Sequence, residues 1–368
     1  MSAPRLEVDL EAIEANTRVL AARLGSRGIG ITGVTKAVLG SPAVASAMLR
    51  GGAVGLADSR VENLARLAAG DVESVRTLIR SPMLSQVDAV VRVAGVSLHS
   101  EPTVLEALSA AAGLAGTTHS VVLMLELGDL REGVLGEAMT GLARTAASLP
   151  HLRLVGVGTN LACQSGVAPD QDNMGELSSV VAEVEAATDA RLSVISGGNS
   201  ASLGWALRTT DVGRVNELRL GEALLLGRDP LTRMPLAGLR QDAFILVGEL
   251  IEVQSKPAQP WGRLAQSAFG APPARLGTGS VRQGIVALGR QDVESSGLVP
   301  PDGVRVLGMS SDHLVLDLGD SGARVGDELR FGVDYGGLLR AATSPFVETV
   351  DGSCQDVIRT EPSSARIA

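Results

Sequence analysis

Lysine is almost absent from this chain, although positive charge is not. Of its 32 Lys and Arg residues only Lys36 and Lys256 are lysines, so arginine is used wherever a positive charge is enough. Arginine cannot form an imine with an aldehyde, whereas a lysine amine can. Lys36 ends an apolar run that begins at Ile31 and is typical of a buried strand. Lys36 is therefore a candidate imine-forming residue; the alternative is a surface lysine at a strand end.

Other scarcities argue against whole classes of function. Aromatic residues make up 2% of the chain, which leaves few surfaces for base stacking. The net charge of -9, without any basic cluster, argues against a nucleic-acid binder. The two cysteines, Cys163 and Cys354, are too few for a disulfide framework. No apolar run is long enough to span a bilayer and the N-terminus lacks a signal-peptide pattern, so we expect a cytoplasmic protein with no membrane partner.

The first part of the chain alternates short apolar runs with helical stretches. Apolar spacing predicts a first helix from Asp9 to Leu24, capped by Asp9, and later helices that include Pro102–Leu114 and Met174–Ala187. Eight strands are predicted: Ile31–Lys36, Ala53–Ala57, Arg76–Arg80, Val96–His99, Val121–Leu127, Leu152–Gly158, Leu192–Ile195 and Glu217–Leu220. Eight strand–helix units with continuously apolar strands predict an α/β fold, a (β/α)8 TIM barrel over residues 8–228.

From about Arg228 the pattern changes to strands without intervening helices. The predicted strands are Ala243–Val253, Gly284–Leu288, Val304–Leu307, Leu314–Leu318 and Glu328–Phe331. This pattern predicts a mostly β C-terminal domain over residues 229–350. Residues 351–368 are polar, and we expect them to form a flexible tail.

Enzymes on this barrel carry their sites at the C-terminal ends of the strands. Polar residues follow most of the predicted strands there: Lys36, Asp58, Ser59, His99, Asp129, Arg131, Thr159, Asn160, Cys163, Arg219 and Glu222. The rim is therefore the expected location of the chemistry. Cys163 is interpreted as a buried structural thiol, and a place for it in the site is the alternative.

The segment after the seventh strand, Ser196-Gly197-Gly198-Asn199-Ser200, predicts a phosphate site. Glycines let a backbone approach a phosphate closely, and the amides at a helix start favour an anion. The alternative to a phosphate site is a tight turn with a helix cap. For the segment around Arg219, the alternative to a role in the site is a charged barrel rim. A strand-end lysine and a phosphate-binding loop, without a metal motif, together indicate pyridoxal 5'-phosphate as the cofactor.

The chain resembles the alanine racemase-like enzymes, the fold-type III pyridoxal-phosphate family, and within them the alanine/ornithine racemase branch. The resemblance covers about Arg5 to Val350. It rests on six motifs that are specific only in combination: Val34-Thr35-Lys36-Ala37, Gly128-Asp129-Leu130-Arg131-Glu132-Gly133, Gly158-Thr159-Asn160-Leu161, Ser196-Gly197-Gly198-Asn199-Ser200, Glu217-Leu218-Arg219-Leu220-Gly221-Glu222 and Ser310-Ser311-Asp312-His313.

The resemblance implies a role for each matching residue. Lys36 would hold the cofactor as an aldimine and later act as one acid/base. Gly198, Ser200 and the amides near Gly221 and Glu222 would bind the phosphate. Asn160 would lie beside the ring, Arg219 against the pyridine nitrogen, and Arg131 near the substrate carboxylate. Because arginine keeps its proton, Arg219 would leave that nitrogen unprotonated and so disfavour side reactions such as transamination.

The second acid/base is where this chain departs from the family. Alanine racemases use a tyrosine from the partner subunit, but Tyr335 is the only tyrosine here and lies in a segment that matches a different place. The candidates are His313, Asp312 and Ser311, in a run that also includes Ser310, or a water molecule. Ser310 and Ser311 are also the candidates for binding the substrate. A strand-capping role is the alternative for His313. Met124 stands where some alanine racemases carry a modified lysine.

The resemblance thus implies an isomerase that inverts the Cα of a free amino acid, of the ornithine or alanine type. It also implies a homodimer with shared active sites, because Asp312 would enter the site of the other subunit. Two alternatives stay open: a non-catalytic pyridoxal-phosphate homeostasis protein, which would lack the second domain, and a metal-assisted D-amino-acid lyase or dehydratase. The adjacent pair Asp312-His313, if on a strand, would face opposite ways, which is poor geometry for one metal ion.

Overall fold

A computed structural model describes residues 3–270 and 277–352, which divide into two compact units. One unit comprises residues 13–241, and the other combines residues up to 12 with those from 242 onward. The predicted tail began at residue 351, but residues 351 and 352 belong to a strand that spans Glu348–Gly352. The rest of that tail, with Cys354, lies outside the described residues. No helix among those described is long and apolar enough to cross a membrane.

Elements are numbered along the chain. The first strand is β1 (Arg5–Asp9). The next eight strands form a closed parallel barrel: β2 (Gly30–Val34), β3 (Gly55–Asp58), β4 (Arg76–Leu78), β5 (Val96–His99), β6 (His119–Leu125), β7 (Leu152–Thr159), β8 (Val194–Ser196) and β9 (Glu217–Leu220). All eight overlap the predicted strands, and the predicted barrel is confirmed.

Nine helices accompany the barrel strands in the described sequence. They are α1 (Leu10–Gly25), α2 (Pro42–Arg50), α3 (Val61–Ala69), α4 (Val87–Val93), α5 (Pro102–Leu114), α6 (Gly136–Ser148), α7 (Gln171–Thr188), α8 (Leu203–Arg208) and α9 (Glu222–Leu226). The predicted cap of α1 is present, because Ala12 N donates to Asp9 Oδ1 at 2.9 Å. Helix α7 begins with a reciprocal capping box between Asp170 and Asn173.

The barrel lumen is apolar over part of its height. Leu98, Val122 and Met124 form a buried cluster, against which Val96 and Val194 also pack. Successive residues of a strand face opposite sides of the sheet, so the neighbours of these residues point outward to the helix layer. This alternation decides which strand-end side chains can reach the mouth of the barrel.

The second unit is built on a largely antiparallel sheet. Its remaining strands are β10 (Phe244–Pro257), β11 (Ser280–Val286), β12 (Leu298–Val299), β13 (Arg305–Met309), β14 (Leu314–Asp317), β15 (Glu328–Val333) and β16 (Glu348–Gly352). The strand order is β12-β15-β10-β11-β14-β13, and the unit also contains helix α10 (Tyr335–Thr343). The predicted mostly β character is confirmed, although β1, β12, β16 and α10 were not predicted.

The division between the units differs from the predicted boundary at Arg228. Residues 228–241 still belong to the barrel unit. Asn16 of α1 holds this segment, because its side chain accepts from Arg240 N at 2.7 Å and donates to Arg240 O at 2.9 Å. The rise in Pro and Gly after Arg228 therefore marks a loop that returns to the barrel.

The N-terminal strand belongs to the second unit, although it comes first in the chain. Strand β1 pairs antiparallel with β10 and parallel with β16. Its residues Leu6 and Val8 are almost fully buried. Arg5 pairs with Glu328 at 2.6 Å and with Glu7 at 2.8 Å, and Arg330 pairs with Glu7 at 2.6 Å.

Candidate active site

Lys36 lies at the C-terminal rim of the barrel, where β2 has just ended. It opens a single 3-10 turn over Lys36–Val38 and is partly buried. The turn is closed by a hydrogen bond from Gly40 N to Thr35 O of 3.2 Å. Gly40 has a φ of +64°, and a Cβ there would lie 2.7 Å from Asn63 O. Within the described residues, the Lys36 amine has no hydrogen-bond or ion-pair partner.

Asp58, at the end of β3, organises the turn that carries Lys36. Its carboxylate accepts hydrogen bonds from Thr35 Oγ1 at 2.8 Å, Arg60 N at 2.9 Å and Asn63 Nδ2 at 3.0 Å. Burial raises the pKa of Asp58, and these hydrogen bonds oppose the rise. Thr35 directly precedes Lys36, and Asn63 packs against Gly40. Asp58 therefore holds the turn at both of its ends, a role that was not predicted.

The glycine-rich loop after β8 meets the start of α9. Ser200 Oγ accepts hydrogen bonds from Gly221 N at 3.3 Å and from Ala223 N at 3.2 Å. Gly198 has a φ of +103°, and a Cβ there would lie 3.0 Å from Ser202 Oγ. The residues predicted to bind a phosphate thus lie together, joined by the Ala223 amide, which the sequence interpretation missed.

The start of α9 lies beside the strand that leads to Lys36. A Cβ on Gly221 would be 3.4 Å from Val34 O, so only a small residue fits there. The side chain of Glu222 is engaged elsewhere, because it pairs with Arg233 Nη1 at 2.8 Å. Any contribution of Glu222 to phosphate binding would therefore come from its backbone amide and not from its side chain.

Arg219 is buried inside the barrel, and its guanidinium is held by two partners. Nη1 donates to Ser196 Oγ, and Nη2 donates to Thr159 O at 2.7 Å. Burial lowers the pKa of Arg219, and the carboxylates of Glu217 and Glu132 oppose this shift. Arginine nevertheless stays protonated in proteins. Arg219 is therefore a fixed cation and donor that cannot act as a proton acceptor.

Asn160 offers a buried donor that is unused within the described structure. Its Oδ1 accepts a hydrogen bond from Asn199 Nδ2 at 3.0 Å, whereas its Nδ2 is buried without any partner. A buried donor left unsatisfied is costly, so Nδ2 fits a ligand that brings an acceptor. Asn199 Nδ2 also donates to Cys163 Sγ at 3.3 Å. The interpretation of Cys163 as a buried thiol was wrong, because Cys163 is exposed at this rim.

Arg131 lies on a loop after β6. One carboxylate binds the backbone amides of this loop, and another pairs with the Arg131 side chain. Glu126 accepts hydrogen bonds from Gly128 N at 2.5 Å, Leu130 N at 3.0 Å and Arg131 N at 3.3 Å. The Arg131 guanidinium forms a two-pronged ion pair with Glu132. Partial burial lowers the pKa of Arg131, but Glu132 and Cys163 more than offset this and raise it.

His99 does not line the mouth of the barrel, although it ends β5. Its neighbour Leu98 faces the lumen, so His99 faces outward, where it contacts Ser97 Oγ at 2.6 Å. The same hydroxyl contacts His119 Nε2 at 2.8 Å. The prediction that His99 belongs to the catalytic rim was therefore wrong, because successive residues of β5 face opposite sides and His99 faces the helices.

The residues predicted as second acid/bases lie in the other unit. Ser310, Ser311, Asp312 and His313 form the turn between β13 and β14, in which Ser310 N donates to His313 O at 2.9 Å. Asp312 and His313 are exposed, and Asp312 Oδ1 accepts a hydrogen bond from Gln291 Nε2 at 2.7 Å. The pair lies in a turn, so the strand geometry assumed for it does not apply. Among the described residues, no group of three or more His, Cys, Asp or Glu is placed to hold a metal ion.

The barrel residues fit the predicted cofactor. An unpartnered Lys36 amine suits an aldehyde, the loop of Gly198 and Ser200 suits a phosphate, and the orphaned Asn160 Nδ2 suits an acceptor on the ring or its substituents. These groups all lie at the C-terminal ends of barrel strands.

Comparison with known proteins identifies the family. The family model described as alanine racemase, N-terminal domain, matches residues 8–229. The chain therefore belongs to the alanine racemase family, as predicted.

Two racemases from other organisms are similar in sequence to most of this chain. The lysine racemase of Thermotoga maritima is 36% identical over 350 residues, which cover 94% of this chain and 98% of that protein. The ornithine racemase of Acetoanaerobium sticklandii is 36% identical over 296 residues, covering 79% of this chain and 83% of that protein. Both relatives are racemases, which are isomerases, and the predicted activity class is confirmed.

Solved structures share the fold over nearly the whole chain. Alanine racemase from Streptomyces coelicolor superposes with a TM-score of 0.76 at 22% identity and covers 94% of this chain and 97% of that one. D-threonine aldolase from Filomicrobium marinum superposes with a TM-score of 0.74 at 19% identity and covers 96% and 92%. These likenesses concern the fold alone.

Proposed function

We propose that this protein is a pyridoxal-phosphate-dependent amino-acid racemase that inverts the Cα of a free amino acid with Lys36 as one acid/base. The observation that carries the proposal is a Lys36 amine without a partner in the described residues, at the same barrel rim at which Ser200 joins the start of α9. The family membership and the two racemase relatives support the same reaction.

When bound, pyridoxal phosphate supplies an electron sink for the electrons left at Cα as the proton departs. Ser200 and the Gly221 and Ala223 amides would bind its phosphate, while Asn160 Nδ2 would donate to an acceptor near the ring. Arg219, fixed by Ser196 and Thr159, would donate to the ring nitrogen without protonating it. The Lys36 Nζ atom would take a proton from Cα on one face or return it there.

Arg131 would hold the substrate carboxylate, because an arginine fork matches that group with two parallel hydrogen bonds. The second proton must move on the opposite face of Cα. We propose that Asp312 or His313 of a partner subunit, with Ser310 and Ser311, serves that face, directly or through water. The protein would then be a homodimer with shared sites.

The dimer proposal is tested by light scattering during gel filtration, together with activity on the same fractions. We expect activity only in the dimer fraction. A fully active monomer would contradict the shared site.

The relatives make lysine and ornithine the first substrates to test, followed by alanine. A panel of L-amino acids, analysed by chiral chromatography, would identify the substrate. The cytoplasmic location expected from the sequence stays a prediction.

Lys36→Ala is the direct test of the mechanism, and Lys256→Ala is its matched control, since these are the only lysines. Borohydride reduction of the loaded wild-type protein should attach the cofactor to the peptide that contains Lys36. Lys36→Ala should lose this attachment and both racemisation and exchange of the Cα proton with solvent. Lys256, which pairs with Glu252 in the second unit, should be dispensable. Racemisation that survives in Lys36→Ala would overturn the proposal.

Two other activities are compatible with parts of the fold. A carrier of pyridoxal phosphate would bind the cofactor but exchange no Cα proton with any amino acid. A metal-assisted lyase or dehydratase would lose activity with a chelator and regain it with a divalent cation. The wild-type protein, assayed for proton exchange with and without chelator, separates these activities from racemisation.

A further inference from the structure

The Arg131–Glu132 pair leaves binding capacity unused on both partners. Glu132 Oε2 accepts from Arg131 Nε and Oε1 accepts from Nη2, so the pair occupies one edge of the guanidinium. A guanidinium carries five N–H donors and a carboxylate about four lone-pair sites. The Nη1 side of Arg131 can therefore bind a second carboxylate while Glu132 still accepts from another cation.

Glu132 is engaged differently from several other carboxylates at this end of the barrel. Those of Asp58, Glu126 and Asp129 are engaged by backbone amides, and that of Glu222 pairs with Arg233. Glu132 pairs only with Arg131 within the described residues, and its side chain is 28% exposed. A small solute can thus reach it without unfolding a loop.

Glu132 also belongs to the neighbourhood of the buried arginine in the barrel. Arg219 Nη2 donates to Thr159 O, and the loop that follows Thr159 is joined through Ser165 N to Asp129, in the loop that carries Arg131 and Glu132. The carboxylate of Glu132 also opposes the lowering of the Arg219 pKa. The neighbourhood holds two arginines and two carboxylates, of which Glu217 accepts a hydrogen bond from Thr32 while Glu132 is 28% exposed. An amino acid whose side chain carries an ammonium group complements that arrangement better than a neutral one.

We propose that Glu132 selects the substrate, by binding the side-chain ammonium of a diamino acid whose α-carboxylate is held by Arg131. This inference rests on the proposed racemase function and specifies its substrate class. Substrates with neutral side chains would gain nothing from Glu132 and would depend on Arg131 alone.

The test compares Glu132→Gln with wild type on matched substrates. L-lysine and L-ornithine carry the second ammonium, whereas L-norleucine and L-norvaline present apolar side chains of similar length. A charge-assisted hydrogen bond corresponds to about a 10- to 100-fold effect, so kcat/KM for the diamino acids should fall by that factor. The value for the neutral amino acids should fall by a much smaller factor, because these substrates depend on Arg131 alone, and Glu132→Asp should recover part of the selectivity.

Glu137→Gln is the control for loss of charge alone, because Glu137 is exposed in the first turn of α6. This variant should keep the wild-type preference. Equal losses on charged and neutral substrates would overturn the proposal, because Glu132 would then only orient Arg131. Unchanged selectivity would overturn it as well.

A binding measurement separates this inference from the proposed function. Calorimetry in the Lys36→Ala background, with and without Glu132→Gln, compares affinity for L-lysine and L-norleucine without turnover. A lysine preference that Glu132→Gln removes supports the role of Glu132 even if the wild-type protein racemises neither amino acid. A preference that persists without Glu132 refutes it even if the enzyme is a racemase.

Discussion

At the scale of single residues, two buried histidines share one hydroxyl in the layer between barrel and helices. Ser97 Oγ lies 2.6 Å from His99 Nε2 and 2.8 Å from His119 Nε2. A hydroxyl has one proton, so Ser97 donates to one ring and accepts from the other. Burial lowers the pKa of His99 to about 3, with a further contribution from His119, and burial lowers that of His119 to about 4. Both rings are therefore neutral in the folded protein.

These histidines predict a loss of stability in mild acid. Below about pH 6.5 the unfolded chain binds protons that the folded chain excludes, so the free energy of unfolding falls until the pH reaches the lowered pKa values. The slope is at most about 1.4 kcal/mol per pH unit for each histidine. Denaturant titrations of His119→Gln between pH 7 and about 4 should show a shallower slope than wild type.

The control for this prediction is His151→Gln, since His151 is exposed. That variant should keep the wild-type slope. If His119→Gln and wild type have the same slope, the buried histidines do not set the response to acid.

At the scale of secondary-structure elements, the rim is held by carboxylates that join neighbouring loops. Asp129, in the loop after β6, is fully buried. It accepts from Cys163 N at 3.1 Å, Gln164 N at 3.0 Å and Ser165 N at 2.9 Å in the loop after β7. Asp129 therefore joins the loop that carries Arg131 to the loop that carries Cys163.

Asp129→Ala should release the loop after β7, because three amides lose their acceptor. We expect the free energy of unfolding to fall by about 1–3 kcal/mol, since unsatisfied buried groups are costly but loop amides can gain water. Amide exchange at residues 163–165 should become faster. Asp129→Asn keeps one acceptor oxygen and should give an intermediate effect. Unchanged exchange in Asp129→Ala would show that the clamp contributes little.

At the scale of the whole molecule, the two units are interleaved in the sequence. The chain begins in the second unit with β1, forms the barrel and then returns to the second unit after Gln241. Strand β1 lies between β10 and β16, so residues near both ends of the described chain pair directly. The second unit is consequently complete only when the first few residues are in place.

Leu6→Ala tests this arrangement, because Leu6 is 1% exposed and lies opposite Leu246 of β10. A large-to-small change in a core costs about 2–5 kcal/mol. Hydrogen exchange should become faster in β10, β15 and β16 and change less in the barrel strands. Leu20→Ala in α1, which is fully buried in the barrel unit, should give the opposite pattern. Faster exchange confined to the barrel in Leu6→Ala would contradict the assignment of β1.

The amino-acid sequence by itself determined the eight barrel strands, the mostly β second part and the position of Lys36 at a strand end. Local patterns carry this information, because apolar runs and turn residues act over a few neighbours. The residues of the predicted phosphate loop could also be identified from the sequence, because they are consecutive in the chain.

Only the tertiary structure decided the contacts between distant segments. It directs His99 away from the mouth, exposes Cys163, uses Asp58 and Asp129 to hold turns, and places β1 in the second unit. The physical reason is that strand facing, carboxylate–amide bonds and strand pairing depend on which segments become neighbours, and local apolar spacing does not encode this.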